Sequence, residues 1–308
     1  MESTLPQVAA TALFNIGFAW VIGVLAARLW LMKQKTAWQQ LVFRRLSPAM
    51  LAGLLACATG LFLSLWTESA VMADLAWLAA WPAYAQMMTT THYGHAGVAA
   101  MVLLVIAMLA HRVLQRAGAG TAYLGTMAAL LMLVAAARVT IGHAYEHGPL
   151  SVAAVAEWVH LLCMALWAGI VFVAGWLVLP SMLRRESAPG VERAAYLASM
   201  SSWAAAAVAG IVATGAYNAY RVLGSPRDLL DERYGYVLLI KLLLVLVAIA
   251  LGGFNRFFGL PACYAMQPSP VAARGLGTVM RILRLESLVL VLILLAAAML
   301  ANSAPPGH

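Results

Sequence analysis

Histidines, methionines and a few isolated charges are the residues of this 308-residue chain best suited to chemistry, and their spacing is specific. His92 and His95 follow Met87 and Met88 in the stretch Met-Met-Thr-Thr-Thr-His-Tyr-Gly-His. His143 and His147 stand four residues apart, and His160 is followed four residues later by Met164 on the same helical face. Neutral imidazole and thioether are ligands that copper accepts: soft sulfur favours Cu(I), and imidazole suits either oxidation state. On a helical turn, either histidine pair can reach one ion. The competing reading, strongest for His147 and His308, is that these side chains rest at the lipid headgroup level.

Three ionisable residues lie inside apolar runs. Arg138, Glu157 and Lys241 sit at comparable depth, and charges inside a membrane segment are costly enough to be functional hypotheses by default. The bland expectation is a salt bridge from Glu157 to Arg138 or Lys241. Such a network can also hold His160 in one tautomer. Glu157 and His160 form Glu-x-x-His on one face of one helix, although carboxylate is a poor Cu(I) ligand.

The elements that must position these groups follow from composition. The chain is 64% hydrophobic and only 10% charged, with a mean hydropathy of +0.88; a soluble domain typically carries about 25% charged residues. The expectation is an all-α polytopic membrane protein with eight transmembrane helices. A span needs roughly 20 apolar residues, and eight runs qualify: 8–31, 48–66, 96–115, 121–142, 152–179, 198–220, 235–257 and 282–301. The fragment 73–88, broken by Pro82, is too short and reads as a surface or re-entrant segment. The first run follows a stretch with no basic residue and reads as a retained helix rather than a signal peptide. His160 falls roughly 13 Å below the outer end of the fifth span, at 1.5 Å per residue.

The basic residues alternate. Arg28, Lys33, Lys35, Arg44 and Arg45 mark the first loop, Arg112 and Arg116 the third, Arg184, Arg185 and Arg193 the fifth, and Arg256, Arg274 and Arg281 the seventh. The acids gather in the even loops. The positive-inside rule therefore predicts cytoplasmic odd loops and both termini periplasmic. Six of the seven histidines then fall on or toward the outer side, with His111 alone on the inner. Residues 1–308 read as a single membrane domain with possible halves 1–148 and 149–308, and no repeat relates the halves.

A net charge of +8 is explained by topology, so no nucleic-acid partner is expected. Cys57, Cys163 and Cys263 show no paired spacing and no disulfide framework. Aromatics such as Trp158, Trp167 and Trp176 read as packing or interface belt. No phosphate-binding Gly-x-x-x-x-Gly-Lys-Ser/Thr loop occurs, so any transport is passive, potential-driven or proton-coupled. Nothing points to an enzyme.

Several of these runs resemble one family. "EWVHLLCMALWAGIVF" is similar to the acid-x-x-His-Leu-Leu…Leu-Trp-x-Gly signature of the CopD copper-resistance family. "ATGAYNAYRVLGSPRDLLDERYGYVLLIKLLLVLVAIALGGFNRF" resembles its Thr-Gly…Tyr-Gly…Leu-Lys…Asn-Arg run, and "RILRLESLVLVLILLAAAMLA" its last helix. The likeness is strongest over 150–302. It reaches Glu157, His160, Trp167, Gly169, Thr214, Tyr234, Gly235, Lys241, Asn255, Arg256 and Glu286. The resemblance implies a bacterial inner-membrane protein of copper homeostasis, with a separate periplasmic copper carrier of the CopC type as donor.

The leading expectation is a copper permease in the lipid bilayer, moving copper from the periplasm toward the cytoplasm. His92, His95, His143, His147, Met87 and Met88 would accept the ion, and His160 and Met164 would hold it deeper. The alternative is a b-type haem or copper redox protein using His95, His143 and His160. A third is a scaffold delivering copper to an oxidase.

Overall fold

The computed structural model describes residues 4–141, 148, 151–183, 190–222, 233–263 and 270–303. Among these residues there are nine helices and no strand. They are α1 (Leu5–Leu31), α2 (Ala37–Met72), α3 (Trp81–Thr90), α4 (His92–Arg116), α5 (Gly120–Val139), α6 (Val152–Leu183), α7 (Gly190–Val222), α8 (Arg233–Phe254) and α9 (Pro270–Ala301). All except α3 are long and apolar enough to cross a bilayer, which gives the eight expected spans. A chain in lipid must satisfy its backbone internally, and helices do so within each segment.

Several helices outrun the apolar stretches that announce them. α2 begins at Ala37 rather than near 48, because a polar lead-in precedes the membrane run and Gln39 Oε1 caps it by accepting from Thr36 N at 3.1 Å. Pro48 therefore sits inside α2 rather than at its start. α7 and α9 likewise begin at Gly190 and Pro270, ahead of their hydrophobic portions. Arg28, read as a loop residue, belongs to the last turn of α1, and Arg44, Arg45, Arg193, Arg274 and Arg281 are helical too. Residues 81–90 form the short helix α3, in keeping with a surface segment, and Trp66, Trp81 and Tyr84 stack beside it with ring centroids 5.5–5.6 Å apart.

α1 is the central helix, packed on α2 along one side and α6 along another. Between lipid-facing segments, association depends on close van der Waals contact, which small residues permit. Gly23 of α1 lies directly against Gly169 of α6, and a Cβ on either would collide with the other helix's backbone. Gly60 of α2 meets the backbone of Phe14 in the same way. Polar contacts finish the α1–α2 seam: Gln7 Nε2 donates to Glu68 Oε2 at 2.8 Å, and Thr11 and Ser64 hydroxyls lie 3.4 Å apart. Asn302, just past α9, donates to Thr11 Oγ1 at 3.1 Å, so the two ends of the chain lie on one face.

At the opposite end of α1, Arg28 is buried between two rings, 4.4 Å from the centroid of Phe43 and 4.3 Å from that of Tyr123. The Tyr123 hydroxyl lies 2.9 Å from His111 Nδ1, and His111 Nε2 lies 3.4 Å from Ser47 Oγ. This cation–π sandwich and its hydrogen bonds give His111 a structural occupation.

Candidate functional site

The polar residues of α6 fall on one lane. Glu157, His160, Met164 and Trp167 follow at intervals of three, four and three, which keeps them on one face of a helix of 3.6 residues per turn. α6 packs against α7 and α9, and these helices supply the partners.

The upper tier lies in the half of the bundle that holds the start of α6. Glu157 Oε2 accepts from Asn218 Nδ2 of α7 at 2.6 Å. Its electrostatic partners are Lys241 of α8 and Arg221 of α7. Of the two bridge partners expected for Glu157, Lys241 interacts with it electrostatically, while the Arg138 guanidinium lies 5.8 Å from the Phe14 ring centroid of α1.

One turn below, His160 Nδ1 lies 2.9 Å from Thr214 Oγ1. That hydroxyl also lies 2.6 Å from the carbonyl oxygen of Gly210, which can only accept. The single hydroxyl proton therefore goes to Gly210, and Thr214 accepts from Nδ1–H. His160 is fixed in the tautomer whose Nε2 carries the free lone pair, the arrangement by which a supporting group orients a metal-ligating imidazole. Gly215 makes room for the ring: a Cβ there would stand 3.2 Å from His160 Cε1. Met164, four residues on, is buried in the apolar core.

Trp167, read from sequence as packing, is both packed and hydrogen-bonded. It is buried, and its Nε1 donates to Glu286 Oε1 of α9 at 3.0 Å. Glu286, Asn255 and Trp167 line a cavity of about 210 Å³ between α6, α7, α8 and α9. The family resemblance reaches Thr214 without giving it a role, and the sequence does not single out Asn218. A polar residue amid the apolar part of α7 was the available signal, but no spacing rule ties it to a residue on another helix.

The outer candidates are arranged differently. His92 and His95 are exposed on the first turn of α4, and His95 Nε2 lies 3.0 Å from Thr89 O. Met87 is buried against α4 and Met88 half-buried, both among apolar side chains. His143, His147 and His308 lie outside the described residues. Among the described residues, no group of three or more His, Cys, Asp or Glu side chains converges on one point.

Residues 194–300 match the family model of CopD, copper resistance protein D. The matched segment runs from α7 through α9. It holds Thr214, Asn218, Lys241 and Glu286, the partners of the α6 lane, and Asn255 of the neighbouring cavity. No curated protein and no solved structure matches the chain.

Proposed function

We propose, from the copper resistance protein D match across α7 to α9, that this multi-pass membrane protein binds copper and passes it from the periplasm toward the cytoplasm, as a permease of the bacterial inner membrane. His92, His95, His143 and His147 receive the ion at the outer surface, with a carrier of the CopC type as donor. His160 holds it within the bundle. Copper is the cargo in this reading.

The observation that carries the reading is the 2.9 Å contact of His160 Nδ1 with Thr214 Oγ1, which itself lies 2.6 Å from Gly210 O. The His160 Nδ1–H is committed to Thr214, so Nε2 is presented as an unprotonated donor. Unlike His111, whose two ring nitrogens both have hydrogen-bond partners, His160 has such a partner at Nδ1. Glu157 and Lys241 nearby balance each other's charge and leave the imidazole as the soft-metal donor of the tier.

Copper content and the absorbance spectrum of the purified protein test this. Bound copper, reduced in His160→Ala and without a Soret band, is the expected result. A sharp Soret band would replace the reading with a haem protein. Full copper occupancy in His160→Ala would remove the inner site.

A further inference from the structure

Among the described residues, two of the buried side-chain oxygens without partners belong to one cavity. Glu286 lies near the middle of the Arg274–Ala301 span and is 1% exposed. Trp167 holds its Oε1, but its Oε2 is buried with no hydrogen-bond partner. Asn255, 4% exposed, donates from Nδ2 to Val279 O at 3.3 Å, and its Oδ1 is buried and unpartnered too. Asn255 opens a π-helical turn, Asn255–Gly259, that continues α8, and α6 carries a second π turn at Ala174–Val178. Single π turns inside α-helices are frequent at functional sites.

Both orphaned atoms are acceptors, so what completes them must be a donor or a cation. Carboxylate and amide oxygens are hard ligands, which sets this position apart from the soft-metal chemistry around His160. A bare carboxylate in a low-dielectric interior is costly unless a positive charge accompanies it. The surrounding elements supply little. α6 contributes the neutral Trp167, and α7 contributes Met200, Ser201 and small apolar residues. Among the described residues, the one cation on the cavity wall, Arg256 of the π turn, is exposed and donates from Nη1 to Ser201 O at 2.9 Å and Ser201 Oγ at 2.8 Å. Arg284, on Glu286's own helix, lies over the Trp176 ring at 4.7 Å and donates to Gly175 O at 3.2 Å.

We propose that Glu286 and Asn255 form a binding site for a small hard cation, a proton or a sodium ion, in the membrane interior. It is separate from any copper position and does not rest on the copper reading. The cation neutralises the Glu286 carboxylate, which Trp167 holds in place, and Asn255 offers a further oxygen on the wall of the same cavity. Ala204, Ala205, Gly252 and Gly253 line the cavity where α7 and α8 diverge, and Ala205 is exposed on the bundle's surface, so the site communicates with the lipid side.

Dicyclohexylcarbodiimide tests this, because it partitions into the bilayer and adds only to a protonated carboxyl. The full-length protein in liposomes is treated with the reagent, and the modified residue is located by peptide mass spectrometry. We expect labelling at Glu286 that is lost in Glu286→Gln. If the bound cation is a proton, labelling disappears as pH rises and is indifferent to sodium. If it is sodium, labelling is blocked when sodium replaces choline at fixed ionic strength and pH, and Asn255→Ala shifts that protection to higher sodium. Absence of labelling on Glu286 in the wild-type protein across pH in sodium-free buffer overturns the proposal. So does labelling that neither pH nor sodium changes.

Discussion

Thr214 sets the tautomer of His160. Its hydroxyl proton is directed at Gly210 O, 2.6 Å away, so the imidazole must donate from Nδ1 and leave Nε2 as the base. Thr214→Val keeps the shape and removes the acceptor. The ring is then free to change tautomer, and copper affinity falls by about 10–100-fold, the usual cost of losing a ligand's supporting partner. Thr214→Ser retains the hydroxyl and should bind nearly as the wild type. A copper titration of the three proteins checks this, and equal affinity in all three would show that Nε2 is not a ligand.

Glu157→Gln separates charge from hydrogen bonding. The amide oxygen still accepts from Asn218, but Lys241 and Arg221 lose the carboxylate that attends them. Breaking a buried pair from one side costs about 3–5 kcal/mol, and we expect the lower end because these side chains are half-buried. Thermal unfolding in detergent should show the loss. Lys241→Met in the Glu157→Gln background should restore part of it, since that second change removes the stranded cation.

His95→Ala should lower copper occupancy at the outer surface, whereas His111→Ala should leave occupancy unchanged and lower stability. His111 is buried against Tyr123 and Ser47 beneath Arg28, so its removal strands a hydroxyl beside an already crowded guanidinium. An unsatisfied buried partner costs about 1–3 kcal/mol. Metal analysis and thermal unfolding on both variants distinguish the two occupations, and copper loss in His111→Ala would contradict them.

The spans were legible because lipid imposes one dominant constraint, a length of apolar helix, and eight such lengths stand out. Helix ends were not, since α2 and α7 continue into polar sequence where hydropathy is silent. At the site, His160 and Glu157 announced themselves as ionisable groups in apolar surroundings. Their partners did not: Asn218 is 61 residues from Glu157 and Thr214 is 54 from His160. For the same reason the sequence could not choose between Arg138 and Lys241 as the partner of Glu157. Depth can be read along one helix, but the direction in which a side chain faces its neighbours requires the packing of all of them.

Topology is open to labelling. Residues 33–45 and 184–193 are expected in the cytoplasm, and 66–92, 143–150 and 222–233 in the periplasm. A membrane-impermeant maleimide should modify Glu146→Cys in intact cells and spare Lys35→Cys. Two of the three native thiols give little background. Cys57 and Cys263 are fully buried, and burial pushes the Cys263 thiol up, with Arg193 pulling it partly back. A raised thiol has less thiolate at neutral pH and so reacts more slowly. Labelling at position 35 but not 146 would invert the orientation.

The contact between Gly23 and Gly169 bears on how the protein is made. α1 emerges from the ribosome first and meets α2 almost at once, yet its other face is shaped to fit a helix nearly half the chain away. Until α6 has been synthesised and inserted, the groove around Gly23 must be filled by lipid. The α1–α6 crossing is therefore a late event of biogenesis, and the lane of Glu157, His160 and Trp167 takes its position in the bundle only when that crossing closes. A side chain placed at Gly23 or Gly169 would leave each helix able to insert and the whole unable to assemble, producing a full-length membrane protein that quality-control proteases destroy.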